Sequence, residues 1–141
     1  MANTITLESF VSACIAEDEA VARAAMEAKG DGSPARWRAE PGRDGHGQSV
    51  VWNGRGQAVI PNAYHYQGEH VARFDPRRML AECAAKRAII ALATTITDMA
   101  FEIENEWPSP HVAVIDGDVV LRALALPYAE HPDFDVTWRN S

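Results

Sequence analysis

The stretch from Asp75 to about Asn105 constrains this chain most, because it has a marked helix start followed by a sustained helical period. Asp75 is a good N-cap, and Pro76 suits the first helical turn, where its missing N–H is not needed. Met79, Leu80, Cys83, Ala84 and Ile90 then fall on one apolar stripe. Arg77, Arg78, Glu82, Lys86 and Arg87 are left for the wetter side, with Glu82 four residues before Lys86 in the favourable order for an ion pair. A second stripe, Leu92, Ile96, Met99 and Ile103, continues the period on a rotated face. Unbroken, such a helix reaches roughly 45 Å at about 1.5 Å per residue. The β-branched run Thr94-Thr95-Ile96-Thr97 predicts a bend or break within it.

The rest of the chain must cover that helix. From Thr6 to Lys29, Leu7, Phe10, Val11, Cys14, Ile15, Val21, Ala22 and Ala25 recur at three- and four-residue steps, which predicts an amphipathic helix. Thr4 or Thr6 is expected to cap it, and Lys29-Gly30 to end it. Between the helices lies a Gly- and Pro-rich segment with short β-type runs at 35–39, 49–52 and 57–60. The last two are joined by Asn53-Gly54-Arg55-Gly56, a hairpin signal. Trp37 and Trp52 are expected to pack from this sheet onto a helix. The C-terminal part supports either a hairpin over 112–121 with an Asp-Gly turn, or a helix capped by Asp118. The helix is preferred; it carries Val120, Leu121, Leu124, Ala125 and Tyr128, bends or ends at Pro127, and precedes an extended tail whose Phe134 and Trp138 dock on the core. The expected fold is therefore α+β in a single domain over 1–141: an N-terminal helix, a three-stranded antiparallel sheet, a long central helix, and a C-terminal helix with its tail.

Composition narrows the function classes. The formal net charge of −7 opposes nucleic-acid binding, which needs cations to displace phosphate counterions. Two basic runs, Arg36, Arg38 and Arg43, and Arg73, Arg77, Arg78, Lys86 and Arg87, are the sequence argument for it, and the reading requires Arg73, Arg77, Arg78 and Arg87 to form one uncovered patch. No apolar run approaches the length needed to cross a bilayer, and no signal peptide is expected at the N-terminus. Cys14 and Cys83 both fall among apolar neighbours in helical patterns, as expected of reduced core thiols in a cytoplasmic protein.

Chemical motifs are sparse. Glu17, Asp18 and Glu19 are consecutive and fan around a helix, so they do not converge as paired catalytic carboxylates. The glycines of the Gly42–Gly47 segment and of 54–56 lack phosphate-loop spacing and read as turns. The five histidines form no ligand pair on a helix and no Cys-x-x-Cys accompanies them. His65, Glu69 and His70 make a metal site conceivable, but His70 reads better as a local hydrogen-bonding residue. A Cys83–His70 nucleophile pair conflicts with the place of Cys83 on the apolar stripe, where a thiol is inert. No catalytic residue, metal site or cofactor is expected.

Three blocks carry a resemblance: AEDEAVARAA from Ala16, HVARFDPRRMLAECAAKRAII from His70, and LRALALPYAEHPDFDVTWR from Leu121. They resemble the blocks of a domain-of-unknown-function family, number 6221, of actinobacteria and their phages. Phe74 stands where that family usually has a second histidine. Some longer relatives carry a Cys/His-rich insert before the last block; here that region holds only His111, so the resemblance implies no zinc site. It implies no activity, only an intracellular bacterial or phage context, and it favours the helical reading of the last block.

The expected function is thus a non-enzymatic interaction or regulatory protein that binds a protein partner or itself, as a homodimer through the central helix. The candidate binding residues are His70, Arg73, Asp75, Arg78, Lys86, Arg87, Tyr128, His131 and Trp138. The alternative is a small enzyme or ligand-binding protein, with a pocket built from the 69–75 and 127–134 blocks. It requires His70 and His131 to meet near a carboxylate such as Glu69, Glu130 or Asp133.

Overall fold

A computed structural model describes residues 4–26, 35–42, 47–106 and 116–139. In chain order the elements are helix α1 (Leu7–Ala25), strands β1 (Arg38–Pro41), β2 (Gln48–Trp52) and β3 (Ala58–Tyr64), and helices α2 (His65–Arg73), α3 (Pro76–Glu106) and α4 (Gly117–Ala125). Short 3-10 helices follow at Leu126–Tyr128 and Val136–Arg139. The fold class is α+β, as expected. Two compact units are formed: Asp18–Cys83, and Met1–Glu17 with Ala84–Ser141, so that α1 and α3 each contribute to both.

In the Asp18–Cys83 unit the sheet has the order β1-β2-β3 and is antiparallel throughout. β2 is its middle strand; Ser49 and Val51 are buried on one face while Gln48, Val50 and Trp52 are half-buried, the alternation a pleated strand dictates. Pro41 and Pro61 lie on the two outer strands, where a missing N–H removes no bond to the middle of the sheet. The β2–β3 connection is a hairpin as predicted. Gly56 N–H donates to the Asn53 carbonyl (3.0 Å) and Asn53 N–H to the Gln57 carbonyl (2.9 Å). Gly56, at φ +74°, takes the left-handed position, the pattern of a three-residue loop. The Asn53 side chain holds the loop from inside, its Oδ1 accepting from the N–H groups of Arg55 and Gln57, both at 3.0 Å. The first strand starts at Arg38 rather than Ala35, and the third runs on to Tyr64 rather than ending at Ile60.

The sequence reading missed α2. Gly68 and the polar run around it read as a connection, yet the glycine is what lets the helix pack on the sheet. A Cβ at Gly68 would collide with the Ser49 hydroxyl, so only hydrogen fits where α2 lies on β2. α3 begins as predicted: Asp75 Oδ1 accepts from Arg78 N–H at 2.9 Å.

The expected interruption of α3 at Thr94-Thr95-Ile96-Thr97 does not occur; the helix is continuous over 31 residues. The hydroxyls of Thr94, Thr95 and Thr97 bond back to the carbonyls of Ile90, Ala91 and Ala93 at 3.1–3.2 Å, which satisfies them without leaving the helix. In the unit of 1–17 and 84–141, α4 crosses α3 closely: a Cβ at Gly117 would collide with the Ala93 carbonyl and the Thr97 hydroxyl. α4 is the helix preferred from sequence, but its cap is Asp116, which accepts from Asp118 N–H at 2.9 Å. The preceding part of the alternative hairpin lies outside the described residues.

The tail is not extended. After Pro127 the backbone closes successive turns, Ala129 N–H to Leu126 O, His131 N–H to Tyr128 O, and Phe134 N–H to His131 O, and ends in the last 3-10 helix. These turns bring His131, Phe134 and Trp138 around Phe10 of α1, with ring centroids 5.4, 5.8 and 4.9 Å away. Phe10 is 2% exposed. Burial of such a side chain contributes roughly 1.5–3 kcal/mol, which makes this cluster the anchor of the C-terminal segment. α1 itself is capped by Thr6, whose Oγ1 accepts from Ser9 N–H (3.1 Å). It ends at Ala25, four residues before Lys29; the predicted Lys29-Gly30 terminus lies outside the described residues.

Candidate functional site

One helical face of α2 carries Tyr66, Glu69, His70 and Arg73, at three- and four-residue steps. With Phe74 after the helix and Arg78 in the first turns of α3, they line an open groove of about 360 Å³. Phe74 organises it: the His70 ring lies 4.8 Å from the Phe74 ring, and the Arg78 guanidinium sits 4.4 Å over its centroid. Arg78 is also fixed by Glu82, at 2.8 Å and one turn along α3. Arg73 projects into solvent beside them. Glu69 lies 3.6 Å from His65, one turn back. The groove can hold an anionic or aromatic group between a guanidinium and an aromatic wall.

Asp75 borders this groove but serves the backbone. Besides capping α3 with Oδ1, it accepts from Trp37 N–H through Oδ2, at 3.1 Å. One carboxylate thus ties the segment before β1 to the start of α3. Trp37, with Val21, Ala22, Ala25, Phe74, Pro76 and Met79, lines a second, mostly apolar recess of about 260 Å³ in the same unit. Trp37, just before β1, thus lines the same recess as α1.

The remaining candidates belong to the other unit. Lys86 Nζ donates to Tyr128 Oη at 3.1 Å and lies 5.4 Å from the ring centroid, pinning the turn after α4 to α3. The Glu82 carboxylate is held by Arg78 at 2.8 Å. His131 accepts from Asp133 N–H through Nδ1 (3.1 Å) and points Nε2 at Glu17 (3.6 Å), a carboxylate that the sequence reading did not pair with it. Trp138 stacks with Phe10 and Phe134. His70 and His131 therefore sit in different units, each with its own neighbours. Asp135 caps the last turn; its carboxyl is held below the ordinary aspartate range by the Thr137 N–H and then by the Thr137 hydroxyl.

A further surface lies on α3. Ile89, Leu92, Ile96, Met99 and Ile103 follow one another at steps of three, four, three and four, which places them along one seam. Ile90 and Ala93, on the neighbouring face, are buried, whereas Leu92 is 58% and Met99 56% exposed. Ile96 is half-buried, and Ile89 and Ile103 are exposed. The rotated stripe expected from sequence is thus real but uncovered. Ile89 was missed as its first member because it adjoins buried Ile90; the three-four spacing, read alone, finds it. Tyr66 and Phe74 were missed with α2.

Among the described residues, no three His, Cys, Asp or Glu side chains gather as a metal site requires, and no helix is long and apolar enough to cross a membrane. Cys14 and Cys83 are buried and not in a disulfide. Compared with known proteins, the chain is matched over residues 4–140 by the model of a family of unknown function, DUF6221. No curated protein and no solved structure matches it.

Proposed function

The chain belongs to the DUF6221 family, whose function is unknown, and from that premise we propose that it works by binding protein through α3 rather than by turning over a substrate. The supporting observation is the exposed seam of Ile89, Leu92, Ile96, Met99 and Ile103. A contiguous line of large apolar side chains is costly to leave in water and is the usual mark of an interaction surface. The reading places the protein in the cytoplasm of an actinobacterium or its phage, supported by the resemblance of the three blocks and by two buried thiols suited to a reducing compartment. A photo-crosslinking residue at Leu92, compared with one at Val21, tests it in producing cells. Val21 is also apolar and 71% exposed, but lies off the seam. Protein adducts at position 92 and none at 21 are expected; no adduct at 92 overturns the reading.

A second reading is favoured by the groove of Tyr66, Glu69, His70, Arg73, Phe74 and Arg78. It makes the protein a binder of a small anionic or aromatic ligand, using the 69–75 block without the 127–134 block. Its test is a nuclear magnetic resonance titration with inorganic phosphate, benzoate and a nucleoside monophosphate. Saturable shifts at His70 and Arg73 support it, and none with any of the three removes it. Nucleic-acid binding would draw on Arg73, Arg77 and Arg78 here. Two features weaken it: the net charge of −7 and the engagement of Arg78 by Glu82.

A further inference from the structure

We infer that the occupant of the α3 seam is a second copy of this chain, running antiparallel to the first. The inference rests on the protein-binding reading above and names its partner.

The spacing of the seam is that of a helix built to meet another helix. Positions 89, 92, 96, 99 and 103 keep a three-four alternation, which holds apolar side chains facing a partner helix over successive turns. Extended one step back, the same series reaches Ala85, a small exposed residue. A grooved partner reads a helix at the same steps, so the choice of an identical helix rests on how the series pairs with itself and on charge. Aligning Leu92 of one copy with Ile96 of the other sets Ile89 opposite Met99 and Ala85 opposite Ile103. Every position of the series then faces apolar surface, small against large at the ends.

Charge selects the direction. In this part of α3 the cations are Lys86 and Arg87 and lie before the seam's midpoint; Asp98, Glu102 and Glu106 lie after it. A parallel pair sets cations beside cations and acids beside acids. An antiparallel pair sets the basic end of each helix beside the acidic end of the other, and also opposes the two helix dipoles. Size sets the strength. Two copies of the seam bury on the order of 1,000 Å², below the roughly 1,600 Å² of a standard interface, so the dimer is weak and concentration-dependent.

Sedimentation equilibrium on the full chain, run from micromolar to millimolar, tests self-association. A monomer–dimer equilibrium is expected, abolished by Leu92→Glu. Circular dichroism and the melting temperature of that variant check that it still folds, as an exposed site allows. Direction is read separately by electron spin–spin distances between labels at Ala84→Cys. Antiparallel copies put the two labels about 30 Å apart along the axis, parallel copies side by side. Asp98→Lys with Glu102→Lys reverses the charge at two of the acidic positions after the midpoint. It should weaken the antiparallel dimer about fivefold at low salt, with the difference lost near 1 M salt, where charges are screened. A strict monomer at millimolar concentration, or a dimer indifferent to Leu92→Glu, overturns the inference; short label distances or no effect of the charge variant overturn its direction. If the protein is monomeric while position 92 still crosslinks to other protein, the self-pairing fails and the protein-binding reading stands. If position 92 captures nothing, both fall.

Discussion

Replacing Asp75 with alanine removes two acceptors at once, and the loss can be apportioned. The first is the cap on α3, where Oδ1 takes Arg78 N–H at 2.9 Å. Losing an Asp cap costs about 1 kcal/mol, within roughly 0.5–2. The second is the bond from Trp37 N–H to Oδ2 at 3.1 Å, which is part-buried. A backbone donor left without an acceptor there costs about 1–2 kcal/mol. The sum is about 2–3 kcal/mol. For 141 residues, an unfolding entropy near 2.1 cal/mol/K per residue gives about 0.3 kcal/mol per degree, so the melting temperature should fall by about 7–10 °C. Asp75→Ser separates the two parts, because a serine hydroxyl can cap the helix but cannot also serve Trp37. It should recover about 1 kcal/mol of the loss and no more. Urea titration followed by circular dichroism, with calorimetry for the melting point, measures both variants. If Asp75→Ala lies within about 0.5 kcal/mol of the native chain, Asp75 holds nothing together; if Asp75→Ser equals the native chain, the Trp37 bond contributes nothing.

Two further outcomes follow from close packing and from the tail. Gly68→Ala should destabilise by about 1–3 kcal/mol through collision with the Ser49 hydroxyl, but in a Ser49→Ala background the same change should be neutral or stabilising, since the new methyl then meets only the Cβ atoms of positions 49 and 63, at 3.4 and 3.6 Å, in a helix that prefers alanine. Ser49→Ala alone should cost nothing in urea titrations, because its buried hydroxyl finds no partner among the described residues; a loss above about 1 kcal/mol would refute this. For Asp135, whose folded value lies below the ordinary one, the stabilising contribution is present above the unfolded aspartate value and disappears as pH falls through the folded value. Thr137→Ala keeps the N–H and deletes the hydroxyl, so carboxyl carbon resonances should report a partial rise of that value toward normal; no rise would mean that the hydroxyl contributes nothing.

What could be read from sequence was what local chemistry decides. Asp75-Pro76 and the Asn53–Gly56 loop carry their geometry in their own side chains, and both are found where expected. α2 was not legible because Gly68, a breaker by propensity, is required by Ser49, nineteen positions earlier in the chain and adjacent only in space. The continuity of α3 was misjudged for a related reason. Threonine lowers helix propensity by competing for backbone groups, but here each hydroxyl takes a carbonyl of the preceding turn and the competition is settled inside the helix. Of the candidate residues, His70, Arg73 and Arg78 were brought together on one groove. Lys86 was tied to Tyr128, and His131 and Trp138 to the Phe10 cluster.

That partition bears on what the family resemblance means. The blocks around Asp75 and from Leu121 onward hold the bonds that the fold depends on: the α3 cap with its Trp37 tie, the Lys86–Tyr128 link, the His131–Asp133 turn, and the stack of Trp138 on Phe10. A motif whose members satisfy backbone groups and fill a core is accounted for by stability, and it carries no information about a ligand. His70 and Arg73 differ, since neither closes a turn through its side chain nor fills a core. The seam of α3 differs more strongly: leaving Leu92 and Met99 in water lowers solubility and adds nothing to the fold of a single copy. Function is therefore to be sought where the fold does not account for a residue's presence, on the seam first and in the groove second.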